Sequence, residues 1–376
     1  MDTAFRQRHI SLEWLAQNVI ARNLLQYFCG SSKRGNAQME IKKKALVDVP
    51  VQTNIWIRPE CQRKQFEVIK KARPSILFVM SDGGRNEEEW EIIRKNRLMY
   101  DTEIDWECTV YRMYEDTNNG MYGMGRKIAR FIWNKVDRCV LLEDDVIPSV
   151  SFFSYCAELL ERYKDDERIS CICGLNHLEV SDNVTADYFF SRQGSIWGIA
   201  TWKRVWDRFY DFEYGKDPYV MGLLKERLKH NKKRWKPFAA YAKSESYAGH
   251  VASAEFFLDF AVYGQNQLQI IPRKNLVSNV GCDETGVHSG QMKVLPHGLR
   301  RVFHMPVYEL DFPLKHAKYV IPDMAYERKR ERIMASGHPF VRAYRQFEQL
   351  ILLIRYGEFK RLMFMIKNKL PGIHEK

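Results

Sequence analysis

A chain of 376 residues with a formal net charge of +12 is long enough for one large α/β domain with extensions, or for two domains. Its 45% hydrophobic and 13% aromatic residues supply a sizeable core and exclude a disordered chain. The positive excess favours acidic partners such as nucleic acid, anionic lipid or phosphorylated substrates, although it also serves plain solubility. The eight cysteines are scattered. Cys171 and Cys173 are too close together for a zinc ribbon and no second pair follows, so a reduced compartment is expected. The segment Met1–Arg6 has no apolar signal region, and no stretch approaches the roughly 20 apolar residues that span a bilayer. A cytoplasmic protein, or one attached to a membrane from its inner face, is expected.

In chain order, Leu12, Leu15, Val19, Leu24, Leu25 and Phe28 predict an amphipathic helix over residues 11–28, followed by a polar connection. Val49–Ile57 is strand-like. Pro59 and Glu60 then start a helix that runs to Lys71, since proline at a first helical position followed by an acid is a start signal. Ser75–Met80 predicts a second strand, with Ser81–Arg85 as a loop. A helix carrying Ile92, Ile93 and Leu98 follows, then a strand over Trp106–Tyr114. Glu115–Gly125 reads as a loop and Arg126–Asn134 as a helix. The apolar run Val140–Leu142 is the next strand, and it ends abruptly at Glu143-Asp144-Asp145. This alternation of strand and helix predicts a parallel sheet flanked by helices.

Further on, Ser151–Tyr163 predicts a helix, Ile169–Leu175 a strand, Trp202–Tyr210 and Ala254–Tyr263 helices, and Gln267–Pro272 a strand. Asn275–Gly290 reads as a polar loop. Helical patterns return from Tyr326 onward. The last stretch, Lys315 to Lys376, carries fourteen Lys or Arg against six Asp or Glu. Basic residues interspersed with apolar ones there fit an amphipathic helix at an anionic bilayer, a helical cap on the domain, or an oligomer contact.

Three adjacent acids at the end of a buried strand need a positive partner, either a cation or arginines. Mg²⁺ is usually held by one or two carboxylates plus substrate phosphates. A solvated acidic turn is the plainer alternative. The wider order of residues narrows this. Arg58 follows the first strand, Asp82-Gly83 the second, and the acid triplet the fourth. Pro148-Ser149-Val150-Ser151-Phe152-Phe153, Trp197-Gly198-Ile199-Ala200-Thr201-Trp202 and Asn275-Leu276-Val277-Ser278-Asn279-Val280-Gly281 come after it. In this order the motifs resemble a glycosyltransferase of the GT-A fold, and are similar to a bacterial group related to N-acetylglucosaminyltransferase I. The resemblance runs roughly from Val47 to Gly290.

It implies a Rossmann-like, mostly parallel sheet flanked by helices, divided as a helical extension over 1–45, a catalytic domain over 46–290 and a basic helical extension over 291–376. It also implies a metal-dependent inverting transfer of sugar from a nucleotide sugar, UDP-linked by expectation, to a hydroxyl of a glycan or lipid-linked acceptor. Asp145 would bind Mn²⁺ or Mg²⁺, with His288 as a further ligand that would favour manganese. Asp144, Glu143, Arg58 and Asp82 would contact the nucleotide or sugar, with Arg126 facing the diphosphate and Trp197 meeting a sugar ring. The family's base aspartate, which follows a tryptophan, corresponds here to Glu255 after Ala254, a departure that leaves Asp259 in reserve. Two readings of other classes remain. A nucleotidyltransferase would carry a glycine-rich phosphate loop after the first strand, where this chain has Trp56-Ile57-Arg58-Pro59. A basic membrane- or nucleic-acid-binding scaffold would leave the acid triplet unexplained.

Overall fold

The computed structural model describes residues 42–209, 217–229, 258, 262–282 and 292–367. The predicted helix over 11–28 and most of the one over 254–263 lie outside them. From Lys43 on, the chain forms one compact unit.

Its first half alternates as the sequence predicts: β1 (Val47–Ile55), α1 (Pro59–Ala72), β2 (Pro74–Ser81), α2 (Glu87–Thr102), β3 (Thr109–Tyr114), α3 (Gly120–Trp133) and β4 (Arg138–Leu142). There follow β5 (Val146–Pro148), α4 (Ser151–Arg162), β6 (Ile169–Cys173), β7 (Tyr188–Ser191), β8 (Ile199–Trp202), α5 (Lys203–Phe209), α6 (Pro218–Leu228), β9 (Leu268–Pro272) and β10 (Val277–Asn279). The C-terminal part is helical: α7 (His297–Arg300), α8 (Met324–Ile333), α9 (Pro339–Arg355) and α10 (Phe359–Lys367). No described helix is long and apolar enough to cross a membrane.

Eight strands form one sheet in the order β3-β2-β1-β4-β8-β6-β9-β7. β3, β2, β1 and β4 are parallel to one another. β8 runs antiparallel to both β4 and β6, β9 is parallel to β6, and β7 closes the far edge antiparallel. Six of the eight strands therefore point one way. This is the mostly parallel, helix-flanked, Rossmann-like α/β architecture expected of a GT-A fold.

Strand residues alternate between two cores, because successive side chains leave a strand on opposite faces. Leu77 and Val79 of β2 join the larger cluster, with Phe66 and Ile69 of α1 and Phe152, Tyr155 and Leu159 of α4. Phe78 and Met80 face the other way, onto Ala129, Ile132 and Trp133 of α3. The sheet is thus covered on both faces, and its strands read as continuous apolar runs.

The helix α6 lies where the sequence reading placed none, and two segments beside the acid turn also differ from it. α3 begins at Gly120 rather than Arg126, taking in half of the predicted loop. Asn119 makes no side-chain cap bond there. The cap comes instead from Asp82, whose carboxylate accepts Asn119 N and Gly120 N, each at 2.9 Å. A helix start held by a residue 38 positions away leaves no signature in its own neighbourhood. The second case is Val277–Asn279, read as loop, which forms β10 antiparallel to β5. Three residues are too few for alternation to be legible.

Candidate active site

β1, β2 and β4 finish together: Ile55 pairs with Ser81, and Thr53 with Leu142. The residues beyond them, Trp56–Arg58, Asp82–Gly83 and Glu143–Asp145, leave the sheet at one carboxyl edge. Ligands bind outside such edges in open α/β sheets.

The acid triplet forms a turn between β4 and β5, with Val146 N donating to Glu143 O at 3.3 Å. Two buried glutamines of α1 hold this turn from behind. Gln65 Nε2 donates to Glu143 O at 2.8 Å and to Val146 O at 2.6 Å, while its Oε1 accepts from the Thr53 hydroxyl. Gln62 Nε2 donates to Asn54 O and Asp144 O, both at 3.1 Å. Gln62, Gln65, Phe66, Ile69 and Ala72 share the buried face of α1. Sequence reasoning passed over the two amides. The signal was there, since an amide at core spacing must find polar partners when buried.

In front of the turn, Arg58 lies between two carboxylates. Its Nε is 3.4 Å from Asp144 Oδ2 and its Nη1 3.3 Å from Asp145 Oδ2. The guanidinium is only 10% exposed, so its charge acts at short range with little solvent screening. It offsets the repulsion between the adjacent acids. Asp145 Oδ1 also accepts from Asn279 Nδ2 at 3.2 Å, and Asp145 O from Val280 N at 2.9 Å. Asn279 Oδ1 in turn accepts Gly281 N at 3.0 Å. Gly281 sits where Arg58 and Asp145 meet. A Cβ there would overlap Asp145 Oδ2 and come 2.6 Å from Arg58 Nη1. Asn279 and Gly281 therefore belong to the site, although the sequence reading names them only as part of a motif. Cys61 registers the acids from the α1 side: burial first, then Asp144 and Asp145, pushes its thiol up to about 12. It stays protonated at neutral pH.

Asp82 is heavily engaged. Its Oδ1 accepts Gly83 N at 2.9 Å and Asn119 Nδ2 at 3.0 Å, besides the two backbone bonds at the start of α3. A carboxylate offers about four acceptor sites, so the protein's own donors fill them. Gly83 has no room for a side chain, since a Cβ would lie 2.5 Å from Thr117 C. Asp82→Ala removes the cap and the charge at the positive end of α3. It is expected to cost about 2 kcal/mol of stability, read from the urea midpoint without any ligand.

Trp197 is half-buried, its ring centroid 5.2 Å from that of Phe303. The next residue, Gly198, has φ +62, and a Cβ on it would meet Val277 Cγ1 at 2.8 Å and Val146 Cγ1 at 3.3 Å. The Trp197 loop thus presses on β5 and β10, beside the acid turn. α8 fixes the approach to this loop, with Arg330 Nη2 donating to Gly194 O at 2.7 Å and Gln193 Nε2 to Glu331 Oε1 at 2.8 Å. Arg126 lies in the second turn of α3 rather than at its start. Its side chain, like Glu255, Asp259 and His288, is outside the described residues. Among the described residues, no group of three or more His, Cys, Asp or Glu is placed to hold a metal.

No protein-family profile and no curated protein sequence matches the chain. Several solved structures are distantly similar. A mannosyltransferase from Pyrobaculum calidifontis in complex with GDP-Man and Mn²⁺ is 11% identical, over 68% of this chain and 84% of its own, with a TM-score of 0.33. Mouse xyloside xylosyltransferase 1 is 11% identical, over 58% and 82%, with a TM-score of 0.30. A 4-diphosphocytidyl-2C-methyl-D-erythritol synthase from Anaerococcus prevotii is 7% identical, over 62% and 86%, with a TM-score of 0.29. Similarity this low leaves the fold resting on the strand order, and the site on its own geometry.

Proposed function

We propose that the chain is a glycosyltransferase that moves a sugar from a nucleotide-sugar donor, UDP-linked in our reading, to a hydroxyl of a glycan or lipid-linked acceptor, with inversion. It would be a relative of the bacterial group akin to N-acetylglucosaminyltransferase I. The observation that supports this best is the convergence of Arg58, Asp144, Asp145 and Gly281 at the carboxyl edge of the parallel strands.

Asp144 and Asp145 offer carboxylate oxygens from adjacent residues of one turn, a donor set that suits a hard divalent cation completed by phosphate oxygens. The residues present fit Mn²⁺ or Mg²⁺. Asp145 would hold the ion, with Asp144 in its shell or on the donor ribose, and with His288 as a further ligand. Such an ion supplies charge stabilisation for the departing diphosphate. Arg58, pre-set at the same place, suits a phosphate through its planar fork of donors. Glu143 faces the sugar or nucleotide, and Asp82 orders the Thr117–Gly120 loop that borders the nucleotide. Trp197 offers an aromatic face to the sugar ring. Glu255, or Asp259 in its place, takes the proton from the acceptor hydroxyl as that oxygen attacks the anomeric carbon.

Asp145→Asn tests the reading. The amide keeps the size of the side chain, and Arg58 keeps Asp144. The protein should stay folded by thermal melt, while turnover across a panel of nucleotide sugars with Mn²⁺ falls by about a hundredfold or more. Undiminished turnover in this variant would refute the assignment.

A further inference from the structure

Apart from the acid turn, α7, α8 and α9 border an open, solvent-facing pocket of about 550 Å³, at which Arg301, Lys329 and Arg332 are exposed and Arg345 is half-buried. Four permanent cations line it: Arg301, Lys329, Arg332 and Arg345. The one acid in the lining, Glu348, is partly engaged, since its Oε1 accepts His297 N at 2.9 Å. Arg345 Nη2 donates to Gly298 O at 3.3 Å, which fixes its head at the wall. Among the described residues, no ion pair joins Arg301, Lys329 or Arg332 to a carboxylate. These cations come from three separate elements, α8, α9 and the end of α7, so no single helix face accounts for their meeting.

Like charges gathered around one concavity repel, and an anion placed among them relieves that repulsion. Guanidinium groups match phosphate oxygens through paired hydrogen bonds. The volume falls in the range of small-molecule sites, roughly 300–1,000 Å³, and exceeds what a bare ion needs. Most of the lining surface is apolar, with Leu178, Ile333, Val341 and Tyr344 contributing beside the cations, which suits the organic part of an ester rather than a bare anion. We propose that this pocket is a binding site for phosphate esters, separate from the acid turn and independent of the donor reading.

Two sources share that chemistry: a soluble phosphate ester and a phospholipid headgroup. The second has a structural basis in α9. Phe340, Tyr344, Phe347, Ile351 and Ile354 are all exposed and recur at alternating spacings of four and three, which places them on one outward stripe. Tyr344 belongs both to this stripe and to the pocket lining.

The test uses the full chain and inorganic pyrophosphate, titrated calorimetrically in metal-free buffer. Saturable binding is expected. The pair Arg301→Glu and Arg332→Glu should weaken it by about tenfold or more. The charge-matched pair Lys71→Glu and Lys95→Glu, on exposed sites elsewhere, should change it by less than about twofold. Arg301→Lys with Arg332→Lys should restore most of it, which separates charge from damage to the fold. Should the glutamate pair not fold, Arg332→Gln alone takes its place. Arg58→Ala strikes the acid turn and should leave this binding intact, so failure here is distinguishable from failure of the donor reading. The proposal is overturned by absence of saturable binding, or by equal loss in the Lys71 and Lys95 control. Sedimentation with phosphatidylcholine vesicles, with and without phosphatidic acid, identifies the source. Binding to the anionic vesicles that pyrophosphate displaces assigns a lipid headgroup, and no vesicle binding assigns a soluble ester. Either result retains the site.

Discussion

Gly281→Ala is expected to reduce nucleotide binding and transfer by about a hundredfold or more, a loss of the size that an ångström of misplacement can cause. The thermal midpoint should stay within about 4 °C. The added methyl overlaps Asp145 Oδ2 and crowds Arg58 Nη1. Both are ends of side chains, so they can swing aside without moving the backbone, and the stability cost is small. Function has no such latitude. Swinging aside separates Arg58 from Asp145 and re-aims the carboxylate away from Asn279. Calorimetry with UDP and Mn²⁺, beside a thermal melt, reads both quantities. Unaltered nucleotide affinity in the alanine protein would remove the Arg58–Asp145 contact from any role in donor binding.

Gln65→Leu should have the largest effect on stability. Leucine is close to glutamine in volume, so little cavity forms. What is lost is bonding: Glu143 O and Val146 O lose a donor, and the Thr53 hydroxyl loses its acceptor. Gln65 and Thr53 are wholly buried, so water cannot readily replace the amide. Each buried group left without a partner costs about 1–3 kcal/mol, and relaxation will spare part of the sum. A loss of about 3 kcal/mol in urea denaturation is the expected result. The acid turn, no longer held from behind, should also lose nucleotide binding. A shift below about 1 kcal/mol would mean that the two carbonyls find other donors.

The sheet and its helices were legible because they are written locally. β1 to β4 are apolar runs bounded by turn residues, and Pro59 with Glu60 marks the start of α1. Arg58, Asp82 and the acid triplet could be placed at one edge because parallel strands joined by helices must end on the same side. The start of α6 escaped although Asp217 and Pro218 mark it locally, but what escaped beside the acid turn was held from a distance. The start of α3 is capped by Asp82. The start of α4 at Ser151 was legible, but not its cap: Glu309 accepts Val150 N at 3.0 Å and Ser151 N at 2.7 Å from more than 150 residues along the chain. β10 is too short to show a period and exists only through its pairing with β5. Gln62 and Gln65 show by their core spacing that they are buried and need polar partners, but no local pattern says which backbone carbonyls they meet. In each case the information lies in a tertiary contact rather than in the local string.

The pairing of β5 with β10 also sets an order of events during synthesis. Asn279 reaches Asp145 across 134 residues of chain. A ribosome adding roughly 5–20 residues per second needs on the order of ten seconds to cover that distance. Throughout that interval β1 to β4 can already pair, but Asp145 lacks Asn279, and Arg58 lacks the glycine beside it. The nascent chain therefore begins that interval with four of the eight strands and an unfinished acid turn, and Arg58 and Asp145 gain their last neighbour only after Gly281 has left the exit tunnel. A chain cut short before Val277 would lack β10, the Glu309 cap of α4 and the core residues Met305, Leu314 and Tyr326, so it would be expected to be both unstable and inert.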